Sequence, residues 1–184
     1  MKILLPKIYV GSSAIADPLF FIAGPIRGGG NWQEKCLKKL ATLLTKFVAV
    51  IPCRWESGHP LYHYHLEGRD NVFERQTDWE FHYLMETAGR SSNKRGCIIF
   101  WLPEESKEHP RDDGQPYACD TRGEIGFWRA QAAHDRNICL VIGADPGFPG
   151  LRVIQRNFHL IFGESFTIYP TLDLTVEAAV RCIV

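Results

Sequence analysis

The sequence contains no apolar run long enough to cross a membrane and no excess of either charge. Its 184 residues carry 21 lysines and arginines against 21 aspartates and glutamates, and no stretch approaches the roughly 18 apolar residues of a membrane span. A balanced chain provides neither the positive field that holds a nucleic-acid backbone nor a polybasic membrane patch. We therefore expect a small-molecule ligand, and neither a nucleic-acid polymer nor a membrane as partner.

The six cysteines have no CxxC spacing, and three of them fall in apolar runs. This distribution is typical of buried free thiols in a reducing compartment, and it argues against a disulfide framework or a zinc site. Pro6 and Lys7 interrupt the N-terminal apolar run, which makes a poor signal peptide. His59, His63 and His65 have no carboxylate or cysteine at metal-ligand spacing. We expect a cytoplasmic protein without a bound metal.

Short apolar runs typical of buried strands alternate with segments of helical period. The runs predict strands at 19–24, 47–52, 97–102, 138–143 and 166–169. The periodic segments predict helices at 32–47, 74–89, 151–158 and 171–182, and one that ends near 134. Residues 1–17 form an edge strand or an arm. This order predicts a single α/β domain over residues 1–184, a three-layer α/β/α sandwich of flavodoxin-like or Rossmann-like type around a mostly parallel five-stranded sheet.

The stretch YACDTRGEIGFWRA, residues 117–130, places Glu124 between two glycines where a loop meets a helix. A carboxylate left open to a ligand at such a junction can act as a nucleophile or general base. Thr121 and Glu124 also match the S/T-x-x-E capping box, in which the glutamate only closes the helix start. Gly123 and Gly126 favour contact with a ligand, because a cap requires neither of them.

Two other features near this edge of the sheet each have two interpretations. The loop GPIRGGG, residues 24–30, suits an anion held by backbone N–H groups and Arg27, but it equally suits a glycine-rich turn with a solvent-facing arginine. Asp78 and Glu80 could provide a second carboxyl, so that acid and nucleophile divide the chemistry, or could form a solvated pair on a helix flank.

Four further residues have simpler explanations. Asp112 and Asp113, which precede a glycine, form a turn signal. Trp101 and Trp128 could stack against a planar ring, but tryptophan at a strand end or on a helix face more often belongs to the core.

Five segments, in this order, resemble the nucleoside 2-deoxyribosyltransferase-like superfamily: FIAGPIRGGGNWQ, TDWEFHYL, IIFWLPE, TRGEIGFW and IGADPGFPG. The resemblance covers roughly residues 19–150, and its most specific element is the E-[LI]-G triplet. It implies an α/β sandwich and an enzyme that attacks the N-glycosidic bond of a nucleoside, with Glu124 as nucleophile. It also implies a carboxylate on the preceding helix, which falls on Glu80, with Asp78 as the alternative.

The chain departs from the family pattern at two positions. A family tyrosine falls on Phe20, and a family aspartate falls on Ala118, with Asp120 nearby in a different register. The loop GPIRGG is similar to the phosphate-contacting loop of the superfamily's 5′-monophosphate N-glycosidases. The residues expected to contact the substrate are Phe20, Gly24, Pro25, Ile26, Arg27, Gly28, Trp101, Asp120 and Gly123.

The resemblance implies transfer of a deoxyribosyl group from a (deoxy)nucleoside to another base, through a covalent glycosyl-Glu124 intermediate. Two alternatives stay open: a hydrolytic N-glycosidase acting on nucleoside 5′-monophosphates, and a non-catalytic nucleotide-binding module. The chemistry requires no cofactor and no metal. The expected partners are a nucleoside or nucleotide and, by resemblance only, further copies of the chain in a homo-oligomer.

Overall fold

The computed structural model describes residues 1–183, and its centre is one six-stranded sheet with only parallel pairings among those residues. The strands are β1 (Lys2–Leu4), β2 (Leu19–Ala23), β3 (Val48–Val50), β4 (Gly96–Leu102), β5 (Leu140–Ala144) and β6 (Ile168–Tyr169). They lie in the order β1-β3-β2-β4-β5-β6. The predicted α/β class is confirmed, and the sixth strand arises because Lys2–Leu4 pairs with β3 at the edge of the sheet.

Five helices cover the two faces of the sheet. They are α1 (Trp32–Leu43), α2 (Gln76–Gly89), α3 (Cys119–His134), α4 (Leu151–Phe162) and α5 (Leu172–Arg181). Within residues 1–183, none of them combines the length and the apolar character that crossing a bilayer requires.

Alternate side chains of each strand point to opposite faces of the sheet and fill two separate cores. On β2, Leu19, Phe21 and Ala23 pack in the core shared with α2, α3 and α4. Phe20 and Ile22 pack in the other core, which α1 and α5 cover. The predicted three-layer arrangement is therefore confirmed.

The chain leaves the adjacent strands β2 and β4 toward opposite faces of the sheet. After β2 it runs to α1 on one face, and after β4 it runs to α3 on the other. Such a divergence opens a crevice beyond the carboxyl ends of the two strands, and this is where open α/β sheets bind their ligands.

Candidate active site

A cavity of about 520 Å³ lies at this crevice. Its lining comes from the ends of β2 and β3, the first two turns of α2, the loop after β4 and the start of α3. The lining residues are Phe21, Ala23, Gly24, Pro25, Ile26, Arg27, Pro52, Arg54, Gln76, Thr77, Glu80, Arg111, Ala118, Asp120, Thr121 and Glu124. The cavity thus brings together Glu124, Glu80, Asp120 and the loop carrying Arg27.

Glu124 lies inside α3 rather than at its start. The helix begins at Cys119, after Ala118, whose backbone is left-handed at φ 57° and ψ 24°. Thr121 and Glu124 are both helical, so the capping-box interpretation is wrong. The second turn of the helix carries the Glu124 side chain, half-buried, into the cavity.

The argument from the flanking glycines is also wrong. Gly123 and Gly126 are interior residues of α3, and a Cβ at either position would meet no heavy atom within 4 Å. Gly123 is exposed and does not line the cavity, so it is not a substrate-contacting residue of this arrangement. Glu124 reaches the cavity because of the direction in which its helix presents it.

The environment of Glu124 favours its neutral form. Burial raises the pKa of Glu124 to about 7, and repulsion from Glu80 and Asp120 acts in the same direction. No group among residues 1–183 donates a hydrogen bond that would oppose this rise in pKa. At neutral pH the protein therefore holds Glu124 in both protonation states.

Glu80 is held by a glutamine that the sequence did not indicate. The Gln76 Nε2 amide donates hydrogen bonds to Glu80 Oε1 and to the Pro52 carbonyl, both at 2.8 Å, and Gln76 Oε1 accepts from Arg54 Nε at 2.8 Å. Burial raises the pKa of Glu80, and the Gln76 hydrogen bond opposes that rise. All polar atoms of the Gln76 amide group are used, so its orientation is fixed.

Asp78, the alternative to Glu80, does not reach the cavity. It is exposed in the first turn of α2, where its Oδ2 accepts a hydrogen bond of 3.3 Å from the Arg75 backbone N–H. The choice between the two carboxylates therefore falls on Glu80, and Asp78 serves the start of the helix.

The loop after β2 owes its shape to two glycines. At Gly24 the backbone has φ +149°, and a Cβ there would lie 2.2 Å from the Trp101 carbonyl oxygen and 2.8 Å from Trp32 Cζ2. At Gly28, φ is +77° and a Cβ would press against the Tyr117 ring. The Trp32 indole donates a 2.8 Å hydrogen bond to the Pro25 carbonyl. Of the five residues 24–28, only Gly28 lies outside the cavity lining.

Arg111, on the charged loop after β4, is the main site residue that sequence reasoning missed. Its side chain is only 7% exposed and forms two hydrogen bonds with Asp113, at 2.6 and 2.9 Å. Asp113 also pairs with Arg27. These partners, Arg111 first, hold the pKa of Asp113 well below its usual range. Asp113 is thus more than a turn residue, since it connects two arginines of the cavity wall.

Two aromatic residues expected to contact the substrate lie elsewhere. Phe20 points to the face of the sheet covered by α1 and α5, and its neighbour Phe21 lines the cavity instead. Trp101 is 4% exposed in the same core as Phe20, so it offers no wall to a ligand. Because successive side chains of a strand point to opposite faces of the sheet, Phe21 reaches the cavity, whereas Phe20 and Trp101 point away from it. Trp128 is buried in the core with α3, which confirms its simpler explanation.

Asp120 lies at the rim of the cavity. Its side chain is mostly exposed, and Oδ2 is 3.4 Å from Arg111 Nη1. Ala118, where the family pattern has an aspartate, is buried and lines the cavity. Asp120, two residues later at the start of α3, provides a carboxylate near that position.

Neither the models of known protein families nor the curated proteins include a match to this chain.

Proposed function

We propose that the protein cleaves the N-glycosidic bond of a nucleoside or nucleotide, with Glu124 as the nucleophile. The observation that supports this function is the pair of carboxyl groups, Glu124 on α3 and Glu80 on α2, that line one cavity beside an anion-suited loop. Most enzymes that break glycosidic bonds use a pair of carboxyl groups, whose different environments let one act as acid and the other as nucleophile.

In the proposed first step, a Glu124 carboxylate oxygen bonds to the anomeric carbon while the bond from that carbon to the base nitrogen breaks. The bonding electrons leave with the base, and Glu80, whose pKa is raised by burial, gives a proton to the departing base. A second base or a water then bonds to the anomeric carbon of the glycosyl ester and gives a proton to Glu80, while the bond from that carbon to Glu124 breaks and restores the Glu124 carboxylate. Attack by a base completes a transfer, and attack by water completes a hydrolysis.

A second candidate, hydrolysis of nucleoside 5′-monophosphates, is favoured by the arginines of the cavity. Arg27, Arg54 and Arg111 all line it, and guanidinium groups bind phosphate through paired, charge-assisted hydrogen bonds. Asp113 pairs with Arg27 and Arg111. A phosphate entering this part of the cavity would compete with Asp113 for them.

The test is a base-release assay over a panel of nucleosides and their 5′-monophosphates, with Glu124→Gln alongside. We expect release by the wild type and none above background by Glu124→Gln. Adding a second free base separates transfer, which gives a new nucleoside, from hydrolysis, which gives only free base and sugar. Equal activity of the wild type and Glu124→Gln would exclude the proposed nucleophile. Thermal stabilisation by nucleotides without base release would favour the binding module.

We further propose that a second copy of the chain packs beside the cavity, as the resemblance implies. Phe81 and Met85 on α2 and Phe127 on α3 are 53%, 45% and 41% exposed. The Phe81 and Phe127 rings contact edge to face, with centroids 6.0 Å apart, next to the elements that carry Glu80 and Glu124. Sedimentation velocity should show an oligomer that Phe81→Ser weakens, and a wild-type monomer at all concentrations would contradict the proposal.

A further inference from the structure

Three cysteine thiols from distant parts of the sequence meet at the amino ends of β4 and β5, at the opposite edge of the sheet from the cavity. Cys97 is the second residue of β4, Cys139 directly precedes β5, and Cys182 directly follows α5. Their three sulfur atoms all lie within 4.8 Å of one another. All three cysteines are free thiols in this arrangement.

The fold, rather than local sequence, creates this cluster. The Ile98 N–H donates a 2.9 Å hydrogen bond to the Cys139 carbonyl, and Ile98 pairs with Leu140, so Cys97 and Cys139 are neighbours on one face. Helix α5 packs on that face. Two hydrogen bonds of 3.2 Å from the Cys182 N–H to the last turn of α5 fix the third thiol. Two strands and a helix end therefore hold the sulfurs in place.

We propose that Cys97, Cys139 and Cys182 bind one Zn²⁺ ion as three thiolates. Zinc prefers thiolate ligands at about 2.3 Å in tetrahedral geometry, which requires sulfur atoms roughly 3.8 Å apart. The observed cluster meets that requirement with only small side-chain movements. This proposal departs from the expectation drawn from sequence spacing, because parallel strand pairing brings together cysteines that no short motif connects.

Access and charge both suit a zinc ion with three protein ligands. Cys97 is buried, whereas Cys139 and Cys182 are half-buried, so an ion can enter from their side and a water can complete the tetrahedron. On binding, the three thiols release their protons to solvent, and the ion offsets two of the three negative charges that result. Arg181, the last residue of α5, directly precedes Cys182 in the chain and places a positive charge near the cluster. A monovalent ion would leave one more charge without compensation.

The first test titrates the fully reduced, metal-free protein with Zn²⁺ against a chromophoric chelator, and with Co²⁺ for its absorption spectrum. We expect one equivalent of Zn²⁺ and sulfur-to-cobalt charge-transfer bands. Cys182→Ser should weaken Zn²⁺ binding by more than the roughly 10- to 100-fold that losing a mere supporting group costs. The matched control is Cys119→Ser, a half-buried thiol outside the cluster, which should bind as the wild type does.

A second test needs no variant and so does not depend on folding of Cys182→Ser. A free Zn²⁺ concentration about 100 times the Kd should raise the Tm of the wild type by roughly 5 to 10 °C. Mass spectrometry should show Cys139 and Cys182 protected from alkylation, while Cys119 stays reactive. Unchanged alkylation in Zn²⁺, full binding by Cys182→Ser, or a Cys139–Cys182 disulfide in a protein that binds no metal when reduced would each overturn the proposal.

Discussion

Gln76 holds the carboxylate of Glu80 through a 2.8 Å hydrogen bond from its side-chain amide. The same amide group donates a hydrogen bond to the Pro52 carbonyl and accepts one from Arg54 Nε. It therefore fixes Glu80 relative to the cavity wall that follows β3. Gln76→Met keeps the length of the side chain and removes these bonds. Because a misplaced catalytic group costs up to about 100-fold in rate, and Glu80 without this bond is free to turn away from the departing base, we expect base release to slow by roughly tenfold or more in steady-state kinetics.

A double-mutant cycle separates positioning from general damage. If Gln76 acts through Glu80, the double variant Gln76→Met with Glu80→Gln should be no slower than Glu80→Gln alone. If the rate losses of the two single variants multiply in the double variant, Gln76 has a role that does not depend on Glu80. The pH profile is a second measure, since losing the Gln76 bond should raise the pKa of Glu80 further.

The raised pKa of Glu124 predicts a stability cost that appears only at higher pH. Folding raises this pKa from 4.5 to about 7. Below pH 4 the carboxyl is neutral in the folded and unfolded chains alike; the penalty grows as pH rises toward 7 and is complete above it. Glu124→Gln should therefore raise the free energy of unfolding at pH 8, by up to about 3 kcal/mol, and change it little at pH 4.

Denaturant unfolding at both pH values measures the difference. The matched control is Glu34→Gln, because hydrogen bonds from Lys38 and Asn31 lower the pKa of Glu34. That substitution should destabilise the protein at pH 8, which is the opposite sign. An equal effect of Glu124→Gln at pH 4 and pH 8 would mean that burial does not shift its pKa.

Arg27 provides a test of the phosphate-bearing substrate. If Arg27 binds a 5′-phosphate, Arg27→Met should lower kcat/KM for a nucleoside 5′-monophosphate by roughly tenfold, a modest loss for a side chain that is 67% exposed. The kcat/KM for the unphosphorylated nucleoside should stay the same. Arg152→Met, an exposed position on α4, is the control. Equal losses of kcat/KM on both substrates would mean that Arg27 maintains the conformation of the loop and does not bind the phosphate.

Gly24 is expected to tolerate no side chain. A Cβ at this position would overlap the Trp101 carbonyl oxygen and the Trp32 ring, and the backbone φ of +149° is strained for any other residue. Gly24→Ala should therefore lower the free energy of unfolding by at least about 2 kcal/mol. Chemical denaturation measures this change directly.

The comparison variant is Gly123→Ala. This glycine is exposed inside α3, and a Cβ there would meet nothing within 4 Å. Alanine should stabilise the protein by about 0.8 kcal/mol, because glycine is the poorer helix former. A loss of stability at Gly123, or none at Gly24, would contradict the packing described above.

Local patterns in the sequence were sufficient for most of the fold. Apolar runs predicted β2 and β4, and the helical period at 74–89 matches α2 (Gln76–Gly89) to within two residues. The edge strand β1 has only three residues, too few for a period, and it exists because β3 offers a pairing partner. Parallel order then followed from the alternation of strands and helices.

The candidate site was only partly predictable, because its details depend on contacts between distant residues. Ala118 adopts a left-handed backbone, and α3 therefore begins earlier than the capping pattern suggested. The conformation of the loop before it, anchored by a 2.9 Å hydrogen bond from the Tyr117 hydroxyl to the Pro103 carbonyl, has no sequence signature. The same holds for Arg111, whose position follows from its pairing with Asp113.

Asp113 joins two loops that follow different strands, because it pairs with Arg27 on the loop after β2 while Arg111 holds it within the loop after β4. A hydrogen bond of 2.7 Å from the Ser106 N–H to the Gly28 carbonyl joins them a second time. We expect the two loops to move together for as long as these contacts hold. We therefore expect ligand exchange to depend on the opposite side of the cavity, and loop motion should concentrate between Arg54, which Gln76 anchors, and the start of α2.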